Sequence, residues 1–301
     1  MKFAIGQESR RGGRRVNEDR VAHWRSGEAV LMVVADGLGG HLHGELAAQM
    51  AVDHLGAAFA AQARPKVANP AFFLKRAVEG AHAAIVHEAR LRGLRDSPRT
   101  CIAACLVQEG RAHWTHIGDC RIYVVRGGRI LLRTRDHSVV QRLVDEGRIR
   151  EEAAGSHPER NRLFQCLGGV QMPQFESPAE HRLAKDDILL LCSDGFWGPL
   201  TQRQVVHGLL GARLEQAIVE LADLAEARGG PQCDNVTAVA MRWHEGADAA
   251  QDSPDTIPNA EPPTDVHDFT ATDPDFLRMS DEDIDKAIAE IKAALRRNAL
   301  G

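Results

Sequence analysis

Residues 101–133 read CIAACLVQEGRAHWTHIGDCRIYVVRGGRILLR. Four apolar runs, 101–108, 112–117, 121–125 and 129–133, follow one another, with Glu109-Gly110 and Gly127-Gly128 between the first and last pairs. Glycine supplies the positive φ that a tight hairpin turn needs, so this spacing predicts a meander of strands paired with their neighbours. Local pairing of that kind makes an antiparallel sheet. Upstream, residues 30–35 (VLMVVA) are continuously apolar and short, the signature of a strand covered on both faces, and residues 20–24 are strand-like. Between them and the meander, residues 44–63 and 70–92 are alanine-rich with apolar residues at helical spacing. Downstream, the pattern predicts a short helix over 138–146, a polar loop over 147–165, a buried strand over 188–192, a helix over 214–227 and a last strand over 236–243. Helices and strands come in blocks and not in strict alternation, which points to an α+β fold and away from a doubly wound parallel sheet.

The whole chain has 301 residues, 44% hydrophobic and 26% charged. That composition excludes wholesale disorder, a collagen and a membrane bundle. No apolar run approaches the ~20 residues of a membrane-spanning helix, and the start MKFAIGQE lacks a secretion-signal stretch, so the cytoplasm is the expected compartment. Six cysteines, Cys101, Cys105, Cys120, Cys166, Cys192 and Cys233, lie scattered with no C-x-x-C pair, suggesting reduced, mostly buried thiols. Charge is segregated. From Glu245 onward there are 14 acidic and 5 basic residues, a net of −9, whereas residues 1–244 carry 32 basic and 28 acidic residues, a net of +4. An excess that small and diffuse implies no nucleic-acid partner.

Three segments are therefore expected: a body over 1–244, an acidic, proline-rich linker over 245–275, and a C-terminal amphipathic helix within 276–301. Ser280-Asp281-Glu282-Asp283 resembles a capping box, and Ile284, Ala287, Ile288, Ile291 and Leu295 make one apolar stripe. A helix over 280–297 with such a stripe is expected to dock on a partner or on its own body.

The chemistry lies in a pattern that occurs twice. An apolar strand ends in Asp-Gly at Asp36-Gly37 and again at Asp194-Gly195, while Gly118-Asp119 closes a third strand, Asp234 opens a fourth, and Glu18-Asp19 precede the strand-like 20–24. Any one Asp-Gly is equally a common turn signal. Collectively the acids suggest more, because carboxylates brought together repel strongly unless a cation neutralises them. Oxygen donors without cysteine or histidine spacing suit a hard ion such as Mg²⁺ or Mn²⁺, and two such ions side by side can activate a water for hydrolysis.

The motifs Arg14-Arg15-Val16-Asn17-Glu18-Asp19, Ala35-Asp36-Gly37-Leu38-Gly39-Gly40-His41, Gly118-Asp119-Cys120-Arg121, Asp136-His137-Ser138, Ser193-Asp194-Gly195 and Asp234-Asn235-Val236-Thr237 stand in an order and spacing that resemble the metal-dependent serine/threonine protein phosphatases (type 2C), in their bacterial form. The likeness spans residues 1 to about 243. It implies a four-layer α/β/β/α sandwich, a central antiparallel β-sandwich flanked by helices, with a two-metal site at one end. It also implies that Asp36 bridges two Mn²⁺ or Mg²⁺ ions, that the Gly37 carbonyl binds one and Asp194 and Asp234 the other, and that Glu18 reaches the metal-bound water. Asp19 would support the site, and Asp119 would help hold a third, weaker ion. Arg14 occupies the place of the family's phosphate-binding arginine, although Arg10, Arg11, Arg14 and Arg15 also fit a solvated basic face.

The expected activity is hydrolysis of phosphoserine and phosphothreonine by a two-metal-activated hydroxide, without a phosphoenzyme, on phosphoproteins made by a cognate serine/threonine kinase. The alternatives are a non-catalytic binding module of the same fold and a two-metal hydrolase of small phosphomonoesters. Leu38 stands where animal relatives have a histidine proposed as general acid, leaving that role unassigned; His41 is a possible substitute or a structural loop residue. Pro98-Arg99-Thr100-Cys101 and Cys120 also depart from the family's usual Gly-Thr-Thr and Gly-Asp-Ser-Arg, and residues 145–165 resemble the flap beside the family's site.

Overall fold

The computed structural model describes residues 1–38, 43–174, 178–211 and 213–245. The chain divides into two units, Met1–Ala271 and Thr272–Gly301, and all described residues belong to the first. His41, the linker expected beyond Glu245 and the helix expected over 280–297 lie outside the described residues.

In chain order the elements are β1 (Phe3–Arg10), β2 (Arg20–Arg25), β3 (Ala29–Gly37), α1 (Gly44–Gln62), α2 (Pro70–Leu91), β4 (Thr100–Gln108), β5 (Arg111–Ile117), β6 (Arg121–Arg126), β7 (Arg129–Arg133), α3 (Val139–Asp145) and α4 (Glu151–Ala154). There follow β8 (Ala179–Arg182), β9 (Ile188–Cys192), α5 (Asp194–Trp197), α6 (Gln202–Leu209), α7 (Leu214–Gly229) and β10 (Val236–Trp243). The strands form two five-stranded antiparallel sheets, ordered β1-β10-β9-β6-β7 and β2-β3-β4-β5-β8. The meander expected over 101–133 is present, but it is shared: β4 and β5 lie in one sheet, β6 and β7 in the other. Gly118-Asp119 is thus the crossing between the sheets.

Side-chain alternation explains why β3 is apolar at every position. Leu31, Val33 and Ala35 meet α1 and α2 residues such as Ala51, Leu55, Phe73 and Ile85. The intervening Val30, Met32 and Val34 face the other sheet, against Leu189, Leu191, Val239 and Met241. On the far side, Leu190, Ala238 and Ala240 pack on α7 through Ile218, Leu221 and Ala222. Three apolar seams therefore bind four layers, α/β/β/α, as the family resemblance implied. All six cysteines are free thiols, five of them buried. No helix among the described residues is long and apolar enough to cross a membrane.

Four elements escaped the periodicity. β1 is an edge strand with mostly half-buried positions, and β8 has only four residues, so neither carries a continuous apolar run. α5 and α6 are four and eight residues long. The loop expected over 147–165 contains the single turn α4. Helix α3 begins where its cap predicts, with the Ser138 hydroxyl accepting from the Gln141 amide at 3.2 Å.

Candidate active site

The antiparallel register brings the acids to one end of the sandwich. In one sheet Arg20 pairs with Ala35, Gly37 with Thr100 and Ile102 with Ile117, so Glu18-Asp19, Asp36-Gly37 and Gly118-Asp119 lie on the same edge. In the other, Cys192 lies opposite both Arg121 and Ala238, which sets Asp194 and Asp234 at the matching edge of the facing sheet. Strands of unrelated sequence position thus end together.

Backbone contacts close this end tightly. The Gly37 amide donates to the Glu18 carbonyl at 3.2 Å, and a Cβ on Gly37 would lie 2.5 Å from the backbone of Gly44, at the start of α1. Gly195 is equally enclosed, since its Cβ would fall 2.1 Å from the Asn235 carbonyl oxygen. Glycine at these two Asp-Gly pairs is therefore required by packing, by the close approach of neighbouring backbone. Gly37→Ala is expected to cost about 1–3 kcal/mol of stability by overpacking, read as a lower midpoint in urea unfolding.

Asp19 is buried, while Asp36, Asp119, Asp194 and Asp234 are partly exposed and so reachable from solvent. The Asp36 carboxyl lies within hydrogen-bonding reach of the carboxyl groups of both Asp19 and Asp194. Desolvation, and then the charges of Asp19, Asp194, Asp119 and Asp234, push the Asp36 carboxyl well above its ordinary range. Asp194 is raised in the same way, by desolvation and by Asp119 and Asp234. Desolvation lifts Asp19 to about 7 against the lowering effect of the Ser193 and Thr237 hydrogen bonds, and lifts Asp119 to about 6 with help from Asp136. Glu18 is raised by desolvation and by Glu45 on α1. Among the described residues no three His, Cys, Asp or Glu side chains stand in ready coordination around one point; these carboxyls lie within reach of one another.

The supporting shell is dense. The Ser193 hydroxyl donates to Asp19 at 2.7 Å, and the Thr100 hydroxyl to the Asp36 carbonyl at 2.8 Å. The Asn235 side chain ties the first motif to the last: its amide nitrogen donates to the carbonyls of Arg11 and Val16, and its oxygen accepts from the Glu18 amide at 2.8 Å. Fully buried Arg20 donates to the carbonyls of Asn17 and Asp19, both at 2.8 Å. At the sheet crossing, the Trp197 indole donates to the Asp119 carbonyl at 3.0 Å, Arg121 stacks on that indole at 3.3 Å, and Asp136 grips Arg121 with two 2.8 Å bonds. His137 and Gly118 exchange two further bonds. The sequence motifs contain Asn17, Arg121, Asp136, Ser193, Asn235 and Thr237, but their roles are tertiary. Glu45 and Trp197 fell outside the motifs and had no sequence signal.

Arg14 sits at the rim. Its Nη2 lies 2.5 Å from Asp234 Oδ2, and the charges of Asp234, Asp194 and Glu18 hold the guanidinium above its ordinary range despite desolvation. Arg15 is exposed. Arg10 is taken up by Glu226, 2.9 Å away on α7, so the basic run does not act as one face.

The sequence profile described as protein phosphatase 2C matches residues 5–229. The chain belongs to the protein phosphatase 2C family. Within it, the chain is 34% identical over 215 residues to the serine/threonine protein phosphatase PstP of Mycobacterium tuberculosis, covering 70% of this chain and 40% of that protein. It therefore spans about two-fifths of that relative's length. A putative protein phosphatase 2C-type of Streptococcus pyogenes is 32% identical over 251 residues, covering 82% of this chain and 98% of that one. Among solved structures, the catalytic domain of PstP in complex with two manganese ions superposes with a TM-score of 0.70 at 30% identity, covering 81% of this chain and 99% of that chain. The phosphatase 2C fold, with its sheet edges converging on Asp36 and Asp194, is thus shared at clear sequence similarity.

Proposed function

We propose that this phosphatase 2C member is a metal-dependent phosphoprotein phosphatase that hydrolyses phosphoserine and phosphothreonine without a phosphoenzyme. The observation that carries this reading is the convergence of Asp19, Asp36, Asp119, Asp194 and Asp234 in one cluster, in which burial and mutual charge raise the first four carboxyls, with Arg14 at its rim. Such a cluster of oxygen donors is costly by itself and fits hard divalent cations, Mn²⁺ or Mg²⁺. Asp36 and the Gly37 carbonyl would hold a first ion, Asp36, Asp194 and Asp234 a second, and Asp119 a third, looser one. When bound, the ions supply positive charge for the phosphoryl oxygens and lower the pKa of an attacking water.

The chain's own residues do the rest. Asp19, fixed by Ser193, holds Asp36 in place, and Glu18 accepts a hydrogen bond from water at the site. Arg14 grips two phosphoryl oxygens with its guanidinium fork and orients phosphorus for in-line attack, leaving serine or threonine as an alcohol. Phosphorylated proteins, and with them a serine/threonine kinase, are the partners this activity needs. A reducing compartment, the cytoplasm, suits six free thiols.

Phosphate release from a phosphothreonine peptide, measured with Mn²⁺, with Mg²⁺ and with excess chelator, tests the reading. Release with either metal and none in chelator is expected; equal release in chelator would refute metal dependence. Asp119→Ala is expected to slow turnover while calorimetry still shows two tight Mn²⁺ sites, since the family resemblance assigns Asp119 to the third, looser ion and not to the inner pair. Loss of a tight site in that titration would place Asp119 in the inner pair instead.

A further inference from the structure

At the end of the sandwich away from the acid cluster, a groove of about 480 Å³ opens between β7 and α6. Ile130, Val206 and Leu210 make its apolar part, Leu210 being 52% exposed, and Arg129, Arg203 and His207 rim it, all three exposed. The other arginines of the same hairpin are neutralised, Arg126 by Asp187 at 2.6 Å and Arg133 by Glu151 at 2.8 Å. Arg129, Arg203 and His207 form no ion pair among the described residues, and neither β7 (RILLR) nor α6 (QRQVVHGL) contains an acid. Apolar surface under unneutralised guanidinium groups is complementary to an acidic segment that carries apolar side chains.

The chain supplies such a segment, and it leaves the body at this end. Ile188 of β9 lies opposite both Val125 of β6 and Arg242 of β10, so the Gly127-Gly128 turn beside the groove and Glu245, three residues after Arg242, stand at one end of the sheet. Only β9 and β6 separate β10 from β7, a step of roughly 15 Å at ordinary strand spacing. Arg242 also ties this exit to the groove wall, its Nη2 donating to the carbonyls of Leu209 at 2.7 Å and Gly211 at 2.8 Å, on either side of Leu210. Beyond Glu245, outside the described residues, positions 246–271 belong to the same unit as the body and carry six acids with no lysine or arginine. Their large apolar residues are Ile257, Val266 and Phe269, and the last two stand beside acids in Asp265-Val266-His267-Asp268-Phe269. A chain of 19 residues, the number between Glu245 and Asp265, reaches roughly 25 Å even as a random coil, which spans the step to the groove.

We propose that this groove seats the chain's own segment 265–269, with Asp265 and Asp268 on Arg129 and Arg203, and Val266 and Phe269 on Ile130, Val206 and Leu210. Because the groove lies at the opposite end of the sheet from Asp194 and Asp234, the contact anchors the acidic stretch away from the acid cluster and leaves that cluster uncovered. It stands independently of the phosphatase reading.

The test is chymotrypsin cleavage after Phe269 in the full-length protein, followed by mass spectrometry. A seated Phe269 is withheld from the protease, so Arg129→Glu/Arg203→Glu is expected to speed this cleavage about tenfold, the scale of two exposed ion pairs. Salt at about 1 M should speed it in the wild type as well, by screening those pairs. Asp265→Lys/Asp268→Lys alone should be cleaved as fast as the arginine variant, and the combination of all four substitutions should restore protection, which a misfolded groove could not do. Equal cleavage of the wild type and Arg129→Glu/Arg203→Glu, or no recovery in the fourfold variant, would overturn the proposal. Protection is expected to be the same at every protein concentration; protection that rises with concentration would give the groove to a second copy of the chain instead. Binding of a fluorescein-labelled acidic peptide of unrelated sequence, equally tight in the wild type and in Asp265→Lys/Asp268→Lys, would show that the segment does not occupy the groove and would assign it to another protein.

Discussion

Asp36→Asn is expected to lower metal-dependent phosphate release about 10³-fold or more, the scale on which deleting one member of a catalytic unit acts, and to raise thermal stability in chelator. Both effects have one cause. Asp36 stands between Asp19 and Asp194 and feels Asp119 and Asp234, so its charge is what repels the others and what would bind cations between them. An amide keeps the shape and the hydrogen bonds but not the charge. The pH dependence follows with a definite sign. An unfolded aspartate loses its proton near pH 3.9, whereas Asp119 and Asp19 in the folded chain are pushed to about 6 and about 7. The native state therefore holds more protons in that interval. The stability this provides is fully present below about pH 4 and is lost as pH rises through 6 to 7. Melting in chelator should accordingly fall between pH 5 and 7, more shallowly in Asp36→Asn, and saturating Mn²⁺ should reduce the slope. A chelated wild type that grows more stable across that interval would contradict the cluster's electrostatics.

Arg14→Ala is expected to reduce kcat/KM toward phosphopeptide about 10²–10³-fold, as removal of one charge-stabilising donor does, with Mn²⁺ affinity by calorimetry nearly unchanged. Arg14 is the member of the basic run whose guanidinium meets Asp234 and feels Asp194 and Glu18, so it is aimed at the acids while remaining half-exposed to a ligand. Arg15→Ala, an exposed neighbour, should lose less than about tenfold. Equal losses at both positions would mean that the run acts through its summed charge. Arg14→Lys separates the two ideas further, because lysine keeps the charge but not the bidentate fork; it should recover little of the lost activity.

The sequence by itself determined the α+β class, the long helices and most strands, because each of these buries a face wide enough to impose a period. Residues 30–35 and 188–192 show it most plainly: covered on both faces, they had to be apolar throughout. The acids were legible for the complementary reason, since a carboxylate at the end of such a strand is a conspicuous break in an apolar run. Edge strand β1, the short β8, and the turns α5 and α6 were not legible, because an element with one half-covered face or only a turn of length imposes no period. Only the tertiary structure decided which acids meet. The sharing of the 101–133 meander between two sheets makes Gly118-Asp119 a crossing beside the cluster, and antiparallel register carries Asp36 and Asp194, 158 positions apart in the chain, into mutual repulsion. The hydrogen bonds of Asn235, Arg20 and Trp197 depend likewise on distances through space, and a one-dimensional pattern records spacing along the chain but no distance across it.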